Sequence, residues 1–235
     1  MKKFDYQKVK LISHSISSDY DNVMEPDELV AYCARVSNPA NQNNHETAGK
    51  LVQYLVKHKH WSPLEMVSAT VEIETTRDIA RQILRHRSFS FQEFSQRYAD
   101  PTAALDFTTR EARLQDTKNR QNSIATEDEE LADEWARMQN KAINAARKAY
   151  DWAISNGIAK EQARAVLPEG NTMSRMYMAG TLRSFIHYID VRTGNGTQAE
   201  HMDVANKVAI SLYPIFPLVV DFNRQFGVKS QGQTE

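Results

Sequence analysis

The chain has 235 residues, of which 41% are hydrophobic, 9% aromatic and 25% charged, close to globular averages and unlike a disordered, collagen-like or low-complexity chain. Lys and Arg total 29 against 30 Asp and Glu, a formal charge of −1, so no overall field draws nucleic acid or an anionic membrane and any anion site must be local. The single cysteine, Cys33, excludes an intrachain disulfide and a Cys-rich zinc module.

In chain order, Val9, Leu11 and Ile12 predict a short strand, and Pro26 among Glu25, Asp27 and Glu28 opens a helix through Cys33. SNPANQNN reads as a loop. Leu51, Tyr54 and Leu55 give residues 46–58 a helical spacing, and after a turn at Pro63, Val67, Ala69, Val71 and Ile73 alternate with polar residues as in a half-buried strand. A helix follows from Arg77 to about Arg85, with Ile79, Ala80, Ile83 and Leu84 on its apolar side. The polar stretch 108–125 reads as a loop or flap, and Thr126 to Glu129 forms a capping-box pattern ahead of a long helix whose apolar side carries Leu131, Trp135, Met138, Ala142, Ala145 and Ala149, closed by Gly157. A further helix carries Arg164. Met178, Leu182, Phe185, Ile186 and Ile189 have helical spacing up to Arg192, and Val204, Val208, Ile210 and Leu212 predict a last helix stopped at Pro214 and Pro217. Too few strand patterns alternate with helices for a βαβ series. The expected fold is α+β, a single domain over residues 1–235 with helices packed around a modest mixed or antiparallel sheet. The opening MKKFDYQKVKLISHS lacks the apolar stretch of a signal peptide, no run is long enough to span a bilayer, and a cytoplasmic location is expected.

The densest chemistry lies in RHRSFSFQEFSQRY, residues 85–98. From Arg77 to Arg97, five arginines face only Asp78 and Glu93, a local anion trap in a near-neutral chain. Guanidinium groups bind phosphate at two points and stay charged, and Ser88, Ser90, Gln92, Ser95 and Gln96 add neutral hydrogen-bonding partners, a mixture suited to a nucleotide. An isolated arginine cluster is more often a solvated helix end. Here Phe89, Phe91 and Phe94 are threaded through it and imply a segment folded back on the core. A nucleotide or single-stranded nucleic-acid binding module without catalysis is the alternative, although such modules usually extend positive charge along a whole face.

Arg85-His86-Arg87, seven residues and then Ser95, continuing into Arg97-Tyr98, resembles the signature of the flavin-dependent thymidylate synthase family. CARVSNP at residues 33–39, KHKHWSPLE at 57–65, ARAVLP at 163–168, TLRSF at 181–185 and DVR ending at Arg192, followed by Gln198 and Glu200, are similar to the family in order and spacing, so the likeness covers roughly residues 30–200. The resemblance implies reductive methylation of dUMP to dTMP with 5,10-methylenetetrahydrofolate as carbon donor, FAD as redox carrier and NADPH as reductant. It implies that Ser62, Arg85, His86, Arg87, Thr181, Arg183 and His187 line the FAD, and that Gln82, Arg85, Glu93, Ser95, Gln96, Arg97, Arg164 and Arg192 hold dUMP. On the same resemblance Arg192 is the catalytic residue favouring an ionised uracil N3, His60 lies where folate stacks on the flavin, and sites form between subunits of a homotetramer. Gln96, Thr181, His187, Leu64 and Met66 depart from the family's usual residues at their positions.

Uracil C5 is a poor nucleophile until negative charge accumulates in the ring, supplied either by a thiol adding at C6 or by a fixed cation stabilising deprotonated N3. Cys33, in the apolar run LVAYCARV, reads as a small core residue, whereas an arginine at a helix end suits the second route. Ser95 reads as a hydrogen-bonding ligand, since no aspartate-oriented histidine is near it in sequence. His58 and His60 lack the further ligands of a metal site, and no catalytic metal is expected. Gly194 and Gly196 follow a helix where a dinucleotide fingerprint requires a strand, and read as its terminating turn. Met173, Met176 and Met178 read as core filler, and His201 as a surface residue.

Overall fold

A computed structural model describes residues 4–18, 23–194 and 196–218; the expected domain of 1–235 runs past these, and its remaining residues lie outside the described ones. Strand β1 (Lys8–His14) pairs antiparallel with β2 (Ser68–Thr76), β2 with β6 (Met173–Thr181), and β6 with β3 (Ser90–Glu93), so the sheet order is β1-β2-β6-β3. Between them the chain forms α1 (Pro26–Ala34), α2 (Ala48–Lys57), α3 (Arg77–Ile83), α4 (Pro101–Ala104), β4 (Arg113–Gln115), β5 (Ser123–Ala125), α5 (Glu129–Ser155) and α6 (Lys160–Ala163), and after β6 come α7 (Leu182–Thr193) and α8 (Ala199–Leu212).

One face of the sheet is apolar and the other is wet, as an antiparallel sheet permits. Ala69, Val71 and Ile73 of β2 and Met176 and Met178 of β6 turn inward, onto a core completed by Leu182, Phe185 and Ile189 of α7 and Val204, Val208 and Leu212 of α8. Outward, Glu74 pairs with Lys8 at 3.5 Å and with Arg175 at 2.6 Å across neighbouring strands. Tyr150, Ala153, Ala163 and Leu167 form a separate small cluster where the end of α5 meets α6.

Four local expectations give way. Met178 belongs to β6 and not to the helix begun at Leu182; the period of two in Ser174, Met176 and Met178, all buried, overrides its spacing to Leu182. The long helix is capped by Asp128, which accepts from Leu131 N at 2.9 Å, and not by Thr126. Its buried residues are Gln139, Ile143, Tyr150 and Ala153, whereas Leu131, Trp135 and Met138 are 41–49% exposed. Residues 108–125 include the β4-β5 hairpin, fastened at its base where Gln139 exchanges 2.8 Å hydrogen bonds with the Arg110 backbone and where Arg110 Nη2 donates to Asp78 Oδ1 at 2.6 Å.

Candidate active site

The turn carrying Arg85, His86 and Arg87 follows α3 directly and is drawn onto the core by Phe89, which is 9% exposed and packs edge-on to Phe185 with ring centroids 4.9 Å apart. The ring lies close against Gly180 of β6, where a Cβ would come within 2.5 Å of Phe89 Cδ1, so the glycine at this position is what admits it. Ser184 Oγ of α7 donates to the Ser88 carbonyl at 3.1 Å and fixes the turn from the other side. The arginines are thus mounted on a packed scaffold.

Arg192, in the last turn of α7, donates from Nε to His86 Nε2 at 2.8 Å. No carboxylate pairs with Arg85, Arg87, Arg164 or Arg192 among the described residues. Arg77 meets Glu93 and Glu169, and Arg81 meets Glu169. Arg85, Arg87, Arg164 and Arg192 are all among the residues expected to line the flavin or hold dUMP; Arg35, which donates to the Asn44 carbonyl and to Thr47 Oγ1, also has no acidic partner among the described residues but lies outside that set. To accept from Arg192, His86 must be neutral at Nε2, and burial together with Arg192 and Arg85 brings its pKa down to about 4.

Behind this turn, Gln82 Nε2 donates to Gln198 Oε1 at 2.8 Å, and His201 Nδ1 lies 3.1 Å from Gln82 Oε1. His201 is 0% exposed, a correction to its expected surface position: it shares the inner face of α8 with Val204, Val208 and Leu212, a spacing that could have revealed it. Burial, Arg192 and His86 lower its pKa to about 3. In the unfolded chain both imidazoles take up protons near pH 6.5, while in the folded chain they do not until pH 4 or below. The unfolded state therefore binds more protons across that window, and stability should fall as pH drops from 6.5 toward 4. Urea midpoints that stay flat between pH 7 and 5 would mean that both rings reach solvent.

The other expected ligands fall into separate groups. Glu93 accepts from Ser174 Oγ at 2.8 Å and pairs with Arg77. Arg97 and Arg164 converge on α6, Arg97 through the Glu161 carboxylate at 3.5 Å and Arg164 through the Glu161 carbonyl at 3.3 Å. Ser95 begins the turn before them, and Gln96 is 4% exposed with its Nε2 unpaired among the described residues. No hydrogen bond or ion pair among the described residues joins these groups to Arg192. Around the start of α7, Thr181 caps the helix at Ser184 N, Arg183 pairs with Glu65, and His187 meets Trp61 edge-on at 4.5 Å beside the exposed Ser62. His60 is exposed, 6.0 Å from the ring of Tyr54. Trp61 and Gln198 are not among the expected ligands; the signal that points to them is their place, Trp61 within KHKHWSPLE and Gln198 just after the DVR segment.

Among the described residues no three His, Cys, Asp or Glu side chains are placed to hold a metal ion, and no helix is long and apolar enough to cross a membrane. A flavin dinucleotide fits the donor set: Arg85 and Arg87 are exposed and free of carboxylates for a pyrophosphate, and the Trp61–His187 pair offers an aromatic wall.

Residues 20–218 match the family model described as thymidylate synthase complementing protein. The chain is 47% identical over 205 residues to a probable flavin-dependent thymidylate synthase of Paramecium bursaria Chlorella virus 1, covering 86% of this chain and 94% of that protein. It is 47% identical over 196 residues to the flavin-dependent thymidylate synthase of Synechocystis, covering 83% and 88%. Among solved structures, the UMP/dUMP methylase PolB from Streptomyces cacaoi, bound with 5-Br dUMP, superposes with a TM-score of 0.78 at 27% identity, covering 95% of this chain and 97% of that one.

Proposed function

Because the chain belongs to the thymidylate synthase complementing protein family and is a flavin-dependent thymidylate synthase, we propose that it methylates dUMP to dTMP with FAD as its flavin, 5,10-methylenetetrahydrofolate as carbon donor and NADPH as reductant. The observation that supports this most is the Arg192–His86 pair. Nε donation to His86 fixes the guanidinium plane and leaves both terminal nitrogens without a protein partner among the described residues. Such a fork can meet an oxygen and the adjoining ring nitrogen of a pyrimidine together, and its charge favours the ionised N3 that makes C5 nucleophilic. Neutral His86 serves as the acceptor that sets this orientation. The thiol of Cys33 is raised by burial, against a thiolate nucleophile at neutral pH, and α1, which carries it, packs on α2.

FAD, when bound, supplies the redox chemistry that no side chain can provide. Arg85 and Arg87 would hold its pyrophosphate, with Ser62, His86, Thr181, Arg183 and His187 around it and His60 beside the folate. Gln82, Arg85, Glu93, Ser95, Gln96, Arg97, Arg164 and Arg192 would hold dUMP. The division of these residues into unconnected groups supports a site completed by other copies of the chain in a homotetramer. The exposed stripe of Leu131, Trp135 and Met138 on α5 supports the same assembly.

Purified protein should be yellow, should convert dUMP to dTMP only with the folate and NADPH present, and should weigh four chains by light scattering. Colourless protein that FAD cannot reconstitute, or salt-dependent oligonucleotide binding without flavin, would overturn the reading.

A further inference from the structure

Gln82 reaches the expected nucleotide site from α3, and its amide is already engaged at both ends: His201 Nδ1 lies at 3.1 Å from Oε1, and Nε2 donates to Gln198 Oε1 at 2.8 Å. Two directions of hydrogen bonding fit these positions. A neutral imidazole carries one N–H. With the proton on Nδ1, the relay runs from His201 through Gln82 to Gln198, and His201 Nε2, without a partner among the described residues, is a bare lone pair. With both amides reversed, the proton moves to Nε2, where it would be a buried N–H without an acceptor among the described residues. Orphaned buried N–H groups are much rarer than under-used acceptors, so the first direction prevails.

We propose that His201 is a positioning residue for substrate binding: its Nδ1–H fixes the amides of Gln82 and Gln198 so that both offer only N–H donors to acceptor oxygens of the nucleotide. This rests on the reading of the chain as a dUMP-binding synthase. The ring is held rigidly enough for the task. It is 0% exposed on the inner face of α8, lies 5.8 Å from the Tyr188 ring and stands perpendicular to His86 at 6.3 Å. Burial and the neighbouring Arg192 and His86 bring its pKa down to about 3, so the ring is neutral near pH 7 and the direction of the relay does not invert there. Without His201 the Gln82 amide can turn over, and an oxygen then faces the nucleotide's oxygens.

Steady-state kinetics of the flavin-loaded protein test this with His201→Leu and His201→Asn, the asparagine amide being able to place an N–H near the position of Nδ1. His201→Leu should raise the KM for dUMP about tenfold, the loss of roughly one oriented hydrogen bond, with kcat within about twofold and the flavin spectrum unchanged. His201→Asn should stay within about threefold of the parent KM. An unchanged KM in a folded His201→Leu, equal losses in both variants, or a fall in kcat alone would overturn the role assigned here. Should the leucine variant fail to fold, His201→Gln replaces it, because its longer side chain carries the amide past Gln82; a KM equal to that of His201→Asn would then overturn the proposal. A parent protein that neither binds nor turns over dUMP would remove the functional reading itself, a result distinct from normal turnover that is indifferent to His201.

Discussion

Replacing Arg192 by alanine should lower conversion of dUMP to dTMP by about 10²–10³-fold or more, while the protein stays folded and keeps its flavin; these are the magnitudes seen when a preorganised charge aimed at a developing anion is lost. The expectation is selective because Arg192 is little used by the fold. Its one hydrogen-bond partner among the described residues is His86, and no carboxylate is left unpaired by its removal. Lysine should not rescue it, since an ammonium cannot donate to His86 and also present a planar fork. Cys33→Ser should retain turnover, because burial raises that thiol and the proposed chemistry does not use it. Chromatographic assay of dTMP, paired with the flavin absorbance of each variant, decides the matter. Turnover that survives Arg192→Ala and disappears in Cys33→Ser would show that the thiol is the nucleophile.

Arg113→Ala should be among the most destabilising single changes in the chain, at roughly 3–5 kcal/mol, the usual cost of leaving a buried carboxylate without its partner. Arg113 lies at the start of β4 and pairs with Glu200 in the first turn of α8, whose side chain is 1% exposed. Burial pushes the Glu200 carboxyl up, and the hydrogen bond of Arg113, a backbone hydrogen bond and the charges of Arg113 and Arg110 together outweigh this, leaving it below its ordinary value. A carboxylate held low in the folded state contributes stability that is present above the unfolded pKa and is lost as pH falls through the folded one. The loss of melting temperature in Arg113→Ala, about 10 °C at pH 7, should therefore shrink near pH 4, where the abandoned carboxyl takes up a proton. Arg113→Ala combined with Glu200→Gln should recover part of the loss. A melting temperature unchanged at neutral pH would mean that Glu200 finds water once the arginine is gone.

Much of the candidate site is legible in the sequence. The Arg85–His86–Arg87 turn and its aromatic anchors are local patterns, since guanidinium groups and phenylalanines announce their chemistry by type; Arg192 is singled out by the resemblance of its DVR segment to the family. The strands were less legible. Ser90–Glu93 is too short to establish a period, and Met173–Thr181 shares its last apolar residue with a run that also satisfies a helix. Residue type alone does not place His201 on a side of its helix; its spacing to Val204, Val208 and Leu212 does, on the buried face of α8.

The order of charged, apolar and punctuating residues by itself determined that this chain is an α+β protein with a basic, aromatic-anchored segment suited to a nucleotide, since those properties depend on side-chain type and near-neighbour spacing. Only the tertiary structure decided that Arg192 leans on His86, that His201 stands behind Gln82 and Gln198, and that Arg113 reaches Glu200 across 87 positions of sequence. Partners so far apart along the chain are chosen by how the helices pack on the sheet. Hydrogen bonds and buried charges act over a few ångströms in space, whatever the distance in sequence.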